Sequence, residues 1–361
     1  MNTPQSSRTG KRQHLKRRGE PTIPPERRIK KLEHLQSHLQ TAIEVEHSTI
    51  PPYLCALYSI KDGSNLEAAR IIKSVVVEEM LHMILAANVL NAIGGSPRLN
   101  NSEFIPKYPT FLPHSDDAFS VNLEKFSKHA IETFLRIERP AKPSAPPEAY
   151  RYHSLAQFYA AIELGLRELS AEGIFTGGPS RQVTPEHYSR GGGEVTPVTD
   201  LPSALLALEE ITGQGEGVDH TIWDGVHEKF GEVKELAHYF RFDEIYRQRR
   251  YTADDTLTSG PSGKWLTVQW DEVYPMRPDP KMANYPHGSA LWRKAHAFNR
   301  SYTALLDELH AALNGNPQRL TRSVVGMYDL KHQAVELMKI PVGEEEMTAG
   351  PSFEYASISS S

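Results

Sequence analysis

Two Glu-x-x-His pairs carry the most specific chemistry in this sequence. Glu79 precedes His82 by three positions, and Glu235 precedes His238 by the same interval. Residues three apart on a helix lie one turn apart on the same face, so the carboxylate and the imidazole can reach one metal ion. A single pair is equally typical of an ion pair on a helix surface. Two copies on separate segments match a helical bundle that holds two metal ions.

Glu46 is a further candidate ligand because it interrupts an apolar stripe. The stripe consists of Leu39, Ile43, Ile50, Tyr53 and Leu57. Glu79 and His82 interrupt a second stripe, which consists of Ile72, Val75, Val76, Met83, Ala86 and Leu90. Burying an ionised carboxylate is costly unless it is protonated, ion-paired or bound to a cation. Polar side chains at these core-facing positions therefore favour a bound cation.

The two-metal template needs one more carboxylate, and the sequence offers two candidates. Glu216 lies between two glycines, which let the backbone approach a metal site closely, although a surface turn is the ordinary interpretation of such a segment. Glu163, between Ile162 and Leu164 and near Leu166, competes with it. We predict the metal ligands Glu46, Glu79, His82, Glu216, Glu235 and His238, with Glu163 as the alternative to Glu216. No catalytic residue beyond these ligands is predicted.

The predicted donor set is rich in hard oxygen ligands with imidazole added. Such a set suits iron or manganese better than copper. The expected cofactors are two iron ions, which cycle between Fe2+ and Fe3+, with dioxygen as co-substrate; manganese fits the same donors. Other histidines are more typical of core or surface positions than of ligands. These are His47, His220, His227, His296 and His332.

Helical periodicity predicts the elements that position these residues. Apolar residues recur every three or four positions over residues 28–60 and 66–93, which predicts an antiparallel hairpin with a kink or short break at Pro51 and Pro52. Further helices are predicted over residues 123–138, 154–171, 202–213, 219–249, 289–313 and 320–338, the last two forming a second hairpin. Alternation over residues 265–273 predicts a short strand. The fold class is therefore all-α: a helical bundle with long loop insertions, a short β element and an extra C-terminal helical hairpin.

Four regions follow from these elements. Residues 1–27 are a basic tail that we predict to be disordered, because like charges and prolines prevent a packed structure. Residues 28–250 form the bundle with the di-metal site. Residues 251–340 contain the strand-like linker and a helical hairpin packed on the bundle, and residues 341–361 form a C-terminal tail.

The composition argues against several other classes of protein. The net charge of -5 gives no overall attraction to nucleic acid or to an anionic membrane. No stretch reaches the roughly 20 apolar residues that cross a bilayer, and the N-terminus lacks the apolar core of a secretory signal. The single cysteine, Cys55, cannot form an internal disulfide. We expect a cytoplasmic protein with a small-molecule substrate and no nucleic-acid or membrane partner; the sequence is compatible with a homo-oligomer.

Several segments together resemble a known family. They are residues 39–54, 214–217 and 238–242, Phe298 and Asn299 with Tyr302, and residues 350–354. They are similar to the ferritin-like family named for iminophenyl-pyruvate dimer synthase. That family includes part of the large enzymes that couple amino-acid-derived imines in violacein- and rebeccamycin-type pathways. The resemblance covers about residues 30–355 and implies a ferritin-like bundle.

The first hairpin also resembles ferritins and bacterioferritins. In those proteins a ligand glutamate stands seven residues before a tyrosine, as Glu46 stands before Tyr53, and Glu-Glu-x-x-His follows, as at residues 78–82. The resemblance favours Glu46 over Glu44 and Glu79 over Glu78 as ligands. The pathway enzymes are much longer chains, so it implies the metal site and not the dimerisation of an imine.

The resemblance and the donor set together predict a non-haem di-iron oxidoreductase. It would act with dioxygen as an oxidase or oxygenase on a small amino-acid-derived metabolite in a biosynthetic pathway, with residues 98–151 forming part of the substrate pocket. The first alternative is a ferroxidase or iron-binding ferritin-like protein without an organic substrate. The second is a structural helical protein in which both Glu-x-x-His pairs are ion pairs.

Overall fold

Eight α-helices make up the regular structure of the described part of the chain. The computed structural model describes residues 28–142, 144–188, 192–217, 221–224, 235–343 and 346–356, with the backbone alone at 322–325. The helices are α1 (Leu32–Ser59), α2 (Leu66–Ala92), α3 (Lys128–Ile137), α4 (Leu155–Leu169), α5 (Leu201–Glu216), α6 (His238–Arg247), α7 (Ala290–Leu313) and α8 (Leu320–Met338). The basic tail predicted for residues 1–27 lies outside the described residues.

Helix α1 runs without a break through Pro51 and Pro52, so the short break that was one of the two expectations there does not occur. Each proline lacks the N–H that would bond to the carbonyl four residues earlier. The carbonyl oxygen of Ser48, which Pro52 leaves without this donor, accepts a hydrogen bond of 2.8 Å from the hydroxyl of Tyr108. A neighbouring segment therefore replaces part of the lost helix bonding.

Helix α2 is a deeply buried element of the site. It is long and apolar enough to cross a membrane by length and composition, with a mean hydropathy of 1.4 in its most apolar window, but 94% of that window is buried inside the protein. This is the behaviour of a core helix. Its burial also explains why the polar Glu79 and His82 on it must have partners.

Helices α1 to α6 pack against one another. Helices α1 and α2 form the predicted hairpin, α5 packs against α2 and α4, and α4 also packs against α1. Helix α3 packs against α6, and α6 also contacts α2 and α5. The all-α bundle is therefore confirmed. Four of the predicted metal ligands are buried among these helices, namely Glu46, Glu79, His82 and His238.

Helix α6 is much shorter than the helix predicted over residues 219–249. Residues 218–220 and 225–234 lie outside the described residues. Trp223 and Leu236 form an isolated antiparallel bridge, and Asp224 N donates to Glu235 O at 3.1 Å. Glu235 therefore lies in extended backbone before α6, and not on the same helix as His238.

The predicted short strand over residues 265–273 is represented by isolated bridges at its ends. Arg249 pairs with Trp265, and Ile60 pairs with Val273. Within the described ranges these bridges do not extend into a sheet. The segment serves to tie the ends of α1 and α6 to the C-terminal part of the chain.

The C-terminal hairpin of α7 and α8 packs against α1 and α2. Asn91 on α2 donates to the carbonyl oxygen of Leu313 at 2.8 Å, which fixes the end of α7. Residues 352–356 pack along α7, with hydrogen bonds from Asn299 to Ser352, from Glu354 N to Asn299 and from Ala356 N to Thr303. The Phe353 ring is fully buried, with its centroid 5.0 Å from that of Phe298 and 5.0 Å from that of Tyr302.

Candidate metal centre

Five buried side chains from four helical elements meet in the middle of the bundle. They are Glu46 on α1, Glu79 and His82 on α2, Glu138 directly after α3, and His238 at the first position of α6. They form two groups of three possible metal ligands, Glu46/Glu79/His82 and Glu79/Glu138/His238, and within each group the ligand atoms lie within 4.8 Å of one another. We call these five residues the carboxylate–histidine cluster. Glu79 belongs to both groups.

In the first group the imidazole of His82 faces Glu46. His82 Nδ1 lies 3.4 Å from Glu46 Oε2. The other oxygen of Glu46 accepts a short hydrogen bond from the hydroxyl of Tyr159 on α4. The hydroxyl thus fixes one oxygen and leaves the second directed at the imidazole.

The second group is arranged in the same way around His238. Its Nδ1 lies 3.0 Å from Glu79 Oε1 and 3.5 Å from Glu138 Oε2. The remaining oxygens accept hydrogen bonds from α1: Tyr53 OH donates to Glu138 Oε1 at 2.5 Å, and Thr49 Oγ1 donates to Glu79 Oε2 at 3.0 Å. Helix α1 therefore orients carboxylates that come from two other segments.

In both histidines the Nε2 atom contacts a neighbouring side chain, which orients the ring. His82 Nε2 lies 2.8 Å from Gln214 Oε1, and the amide of Gln214 is fixed because its Nε2 donates to Gly192 O and Glu210 Oε1. His238 Nε2 lies 2.8 Å from Glu78 Oε2. Such contacts orient a histidine so that its other nitrogen faces a metal. In both histidines that nitrogen is Nδ1.

Glu78 and Arg241 complete the support behind His238. Arg241 Nη1 donates to Glu78 Oε1 at 2.7 Å, and both side chains are buried. Glu78 therefore faces away from the other carboxylates, whereas Glu79 faces into the cluster. The orientation agrees with the choice of Glu79 over Glu78.

The cluster concentrates negative charge in a buried place. Burial, together with the charge of Glu138, holds the pKa of Glu79 well above its ordinary value. Burial alone would lower the pKa of His238, but the nearby carboxylates of Glu138, Glu78 and Glu79 raise it well above its ordinary value. The pKa of Glu46 is lowered because, against the effect of burial, His82 stabilises its charged form. These carboxylates therefore depend on a positive partner.

The donor arrangement around His238 fits a metal ion better than an ion pair. His238 Nδ1 is fully buried and makes no hydrogen bond of acceptable geometry, although two carboxylate oxygens lie near it. A buried imidazole nitrogen without an aligned partner is costly. A metal ion bound by the same carboxylate oxygens would give this nitrogen a partner. Metal ligands need only point at one common position, whereas a hydrogen bond needs the N–H to point at one acceptor.

A small inner cavity lies beside the cluster. Its volume is about 20 Å³. Its wall includes Leu155, Ala156 and Tyr159 of α4 and Gly215 and Glu216 of α5. A space of this size holds a water or a diatomic molecule and excludes an amino acid.

Glu216 lies at the inner cavity, but its carboxylate is used elsewhere. Oε1 accepts from Ala156 N and Oε2 from Ala141 N, each at 2.7 Å. Burial raises the pKa of Glu216 to about 7. The alternative, Glu163, is partly exposed and pairs with Arg167 on α4. Neither residue belongs to the two donor groups.

Glu235 is a predicted ligand that does not lie in the carboxylate–histidine cluster. Its side chain is 53% exposed, and Oε2 lies 3.0 Å from Arg241 Nη2. The Glu-x-x-His argument assumed one continuous helix, and α6 begins only at His238. The structure thus brings His238 into the cluster without Glu235.

Glu138 is the site residue that the sequence prediction missed. It caps the C-terminal end of α3 and stands between Ile137 and Arg139, which is typical of a solvated charge. One signal was present: Glu138 follows Phe134 by four positions, on the buried face of α3. Extending the apolar stripe of α3 by one turn would have identified it.

The other histidines that can be located do not join the cluster. His47 is buried and contacts the hydroxyl of Tyr302 at 2.6 Å, and its ring lies tilted against that of Phe104 with the centroids 4.4 Å apart. His296 stacks on Trp292. His220 and His227 lie outside the described residues.

Comparisons with known proteins identify the family and the fold of this chain. A family model described as Ferritin-like matches residues 39–247, which is more than half of the chain. Dichlorochromopyrrolate synthase of Lentzea aerocolonigenes is 27% identical over 334 residues, a match that covers 81% of this chain and 29% of that protein. For 2-imino-3-(indol-3-yl)propanoate dimerase of Chromobacterium violaceum the identity is 26% over 250 residues, covering 58% of this chain and 23% of that protein. The chain thus spans less than a third of the length of these curated relatives.

A solved structure shows the same fold along nearly the whole chain. The crystal structure of a ferritin-like protein from Caulobacter vibrioides superposes with a TM-score of 0.63 at 25% identity. The superposition covers 91% of this chain and 100% of that one. The shared fold therefore includes the segments that follow the region matched by the family model.

Proposed function

Because the chain belongs to the ferritin-like family, we propose that the carboxylate–histidine cluster binds two iron ions and that the protein uses them with dioxygen to oxidise a small amino-acid-derived metabolite. The observation that carries the proposal is the position of Glu79 in both donor groups. A carboxylate shared by two groups suits a bridge between two cations. A purely structural ion pair has no need of this arrangement.

Each donor group would hold one ion. Glu46, Glu79 and His82 would bind the first, and Glu79, Glu138 and His238 the second. The donors are three carboxylates and two imidazoles, which suits iron or manganese. When bound, two iron ions supply the electrons for the reduction of dioxygen.

The surrounding side chains set the direction of these donors. Tyr53, Tyr159 and Thr49 donate to the carboxylate oxygens that face away from the histidines. Burial and neighbouring carboxylates hold the pKa values of both tyrosines well above their ordinary value, so both phenols stay protonated and remain donors. The histidine supports, Gln214 and Glu78, fix the Nδ1 atoms toward the ions.

The substrate class rests on the relatives. The name of the dimerase gives an imino acid with an indole group as its substrate. An amino-acid-derived metabolite is therefore the substrate class that we propose for this chain. Coupling of two such molecules is not proposed, because the match covers only a small part of the dimerase.

The inner cavity restricts where that substrate reacts. It accommodates dioxygen or water beside the cluster and is too small for an amino acid. An organic substrate therefore reaches the cluster only if the wall formed by Leu155, Ala156 and Tyr159 opens, or it binds outside that wall.

Oxygen uptake by the iron-loaded protein tests the proposal. Protein loaded anaerobically with two equivalents of Fe2+ is mixed with dioxygen in the presence of single amino acids or their 2-oxo acids, with product analysis by mass spectrometry. We expect one of these compounds to accelerate uptake and to be oxidised, and His238→Ala to abolish both effects. Uptake at the same rate with every compound, accompanied by ferric mineral, would favour the ferroxidase alternative.

A further inference from the structure

The two histidines of the carboxylate–histidine cluster, His82 and His238, occupy nearly equivalent positions. Their rings are stacked, with centroids 5.3 Å apart and planes inclined by 22°. Each Nδ1 faces carboxylate oxygens of the cluster, and each Nε2 makes one contact of 2.8 Å on the other side of the ring. Each donor group also contains one carboxylate that accepts from a tyrosine hydroxyl. The atoms that would contact the two ions are therefore closely matched.

The partner of His82 Nε2 is a neutral amide. Gln214 is buried, and its Nε2 donates to Gly192 O at 2.9 Å and to Glu210 Oε1 at 3.0 Å. Both amide hydrogens are thus used, so Oε1 is the atom that faces the imidazole. An amide oxygen only accepts hydrogen bonds. His82 Nε2 therefore carries the proton and donates to an uncharged acceptor, while Nδ1 faces the cluster.

The partner of His238 Nε2 is an ionised carboxylate. Nε2 lies 2.8 Å from Glu78 Oε2, and Arg241 Nη1 donates to Glu78 Oε1 at 2.7 Å. A guanidinium is always charged in proteins, so the buried Glu78 keeps its negative charge beside it. An ionised carboxylate only accepts hydrogen bonds. His238 Nε2 therefore also carries the proton, but it donates to a charged acceptor.

This difference changes the donor strength of the two imidazoles. A carboxylate that accepts from the outer N–H of a histidine raises the basicity of the nitrogen that binds the metal. Hydrogen bonds to an ionised acceptor are also roughly twice as strong as those between neutral groups. Arg241 offsets the charge of Glu78 at longer range, and Glu210 adds a charge behind Gln214, so the direct acceptor distinguishes the two positions. His238 Nδ1 is thus the stronger donor.

We propose that Glu78 makes the two metal positions unequal, so that the second donor group, Glu79/Glu138/His238, binds its ion more tightly than the first and fills first. Glu78 is then a positioning residue, because it acts on the ion through His238. The proposal rests on the metal binding of the proposed function, but it requires neither dioxygen nor an organic substrate.

Anaerobic titration of the metal-free full-length chain with Fe2+, in competition with a chelator of known affinity, tests the proposal. Two bound cations repel each other, so variants that keep one donor group are compared. Glu46→Ala keeps the second group, and Glu138→Ala keeps the first. Each should bind one ion, at least about tenfold more tightly in Glu46→Ala than in Glu138→Ala, as expected for a change in the partner of a metal-binding histidine. Equal affinities, or tighter binding in Glu138→Ala, would overturn the proposal.

Replacing Glu78 by glutamine removes the charged acceptor. In the Glu46→Ala background, Glu78→Gln should weaken Fe2+ binding about 10–100-fold, and in the Glu138→Ala background less than about threefold. The matched control is Glu244→Gln, because Glu244 is also buried and paired with an arginine, Arg250. This control should change neither affinity by more than about twofold, which is below the effect of a partner of a metal ligand. An equal loss in both backgrounds after Glu78→Gln would indicate a general effect on the bundle and contradict the proposal.

A spectroscopic measurement on the wild type does not depend on how the variants fold. Zn2+ is diamagnetic, so nuclear magnetic resonance of the Zn2+-loaded chain with isotope-labelled histidine resolves the ring N–H protons. Overhauser contacts to the Gln214 and Glu78 side chains assign them. The Nε2 proton of His238 should resonate downfield of that of His82, because charge-assisted hydrogen bonds are shorter and stronger. Coinciding resonances, or the reverse order, would refute the assigned difference in acceptors.

The outcomes separate this proposal from the proposed function. Tighter binding in Glu46→Ala, in a protein that oxidises none of the amino acids or 2-oxo acids tested, would support the unequal positions and overturn the proposed function. Equal affinities in a protein that does oxidise one of them would overturn the unequal positions alone. A chain that binds neither Fe2+ nor Zn2+ would overturn both.

Discussion

Replacing Tyr159 by phenylalanine removes the hydroxyl that donates to Glu46 and leaves the ring in place. The matched control is Tyr108→Phe, because Tyr108 is equally buried and its hydroxyl donates to the neutral carbonyl of Ser48 at 2.8 Å. Both variants lose one buried hydroxyl. Only Tyr159→Phe takes a donor from a predicted metal ligand.

The expected magnitudes differ for the two variants. A hydrogen bond to a charged group contributes about 1.5–3 kcal/mol to folding, against about 1 kcal/mol for a neutral pair. Metal-free Tyr159→Phe should therefore lose more unfolding free energy than Tyr108→Phe. Groups that orient metal ligands typically affect affinity about 10–100-fold, or about 1.4–2.7 kcal/mol. We expect that loss of iron affinity in Tyr159→Phe and less than about a twofold change in Tyr108→Phe.

Two measurements check this prediction. Urea unfolding of the metal-free proteins gives the stability difference, and competition with a chelator of known affinity gives the Fe2+ dissociation constants. If both variants bind Fe2+ equally well, the hydrogen bond to Glu46 does not orient a metal ligand. If Tyr108→Phe loses as much affinity as Tyr159→Phe, the effect comes from packing and not from the contact with Glu46.

Three further predictions follow from the site and its surroundings. Glu138→Ala should lower the iron content by about one ion per chain, by elemental analysis, whereas Glu235→Ala should retain the wild-type content; the reverse would restore the helical Glu-x-x-His interpretation. Burial raises the pKa of Glu216 from its ordinary 4.5 to about 7, so the native state holds a proton that the unfolded state releases. Below pH 4.5 the protonated Glu216 contributes on the order of 3 kcal/mol to the unfolding free energy, and this contribution is lost as the pH rises through 7. Urea unfolding of metal-free Glu216→Gln should show a flatter pH dependence than the wild type over that window, and an unchanged slope would contradict it. A Cβ on Gly177 would lie 1.8 Å from a backbone carbonyl of α2, whereas one on Gly178 would have its nearest neighbour at 3.8 Å. Gly177→Ala should therefore lower the unfolding free energy by at least about 1–3 kcal/mol while Gly178→Ala is nearly neutral, and equal midpoints in urea would refute this contact.

The helices and half of the site follow from periodicity in the sequence. Glu46, Glu79 and His82 interrupt apolar stripes on α1 and α2, and the structure places all three in one donor group. Long helices with regular stripes fix which face is buried, and that in turn fixes which polar residues must have partners. This is why the first hairpin could be predicted closely.

The second donor group depends on tertiary contacts that periodicity does not encode. Glu138 lies just beyond a short helix, and Tyr53 from α1 orients it. His238 is the first residue of α6, so Glu235 lies outside that helix. The three-residue spacing therefore does not place the two side chains on one helix face. Glu216, a predicted ligand, lies at the inner cavity, but its oxygens accept hydrogen bonds from two backbone N–H groups and it belongs to neither donor group. Which carboxylate turns inward was decided by packing among separate segments.

Counting iron ions in three proteins tests the shared role of Glu79 most directly. After anaerobic reconstitution with Fe2+ and removal of loose metal, elemental analysis should give about two ions per chain for the wild type and about one for Glu46→Ala, as the two-metal template requires. Glu79→Ala should retain almost none, because it removes a ligand from both donor groups. A wild type with less than about half an ion per chain, or a Glu79→Ala variant that keeps as much iron as Glu46→Ala, would contradict a two-metal centre bridged by Glu79.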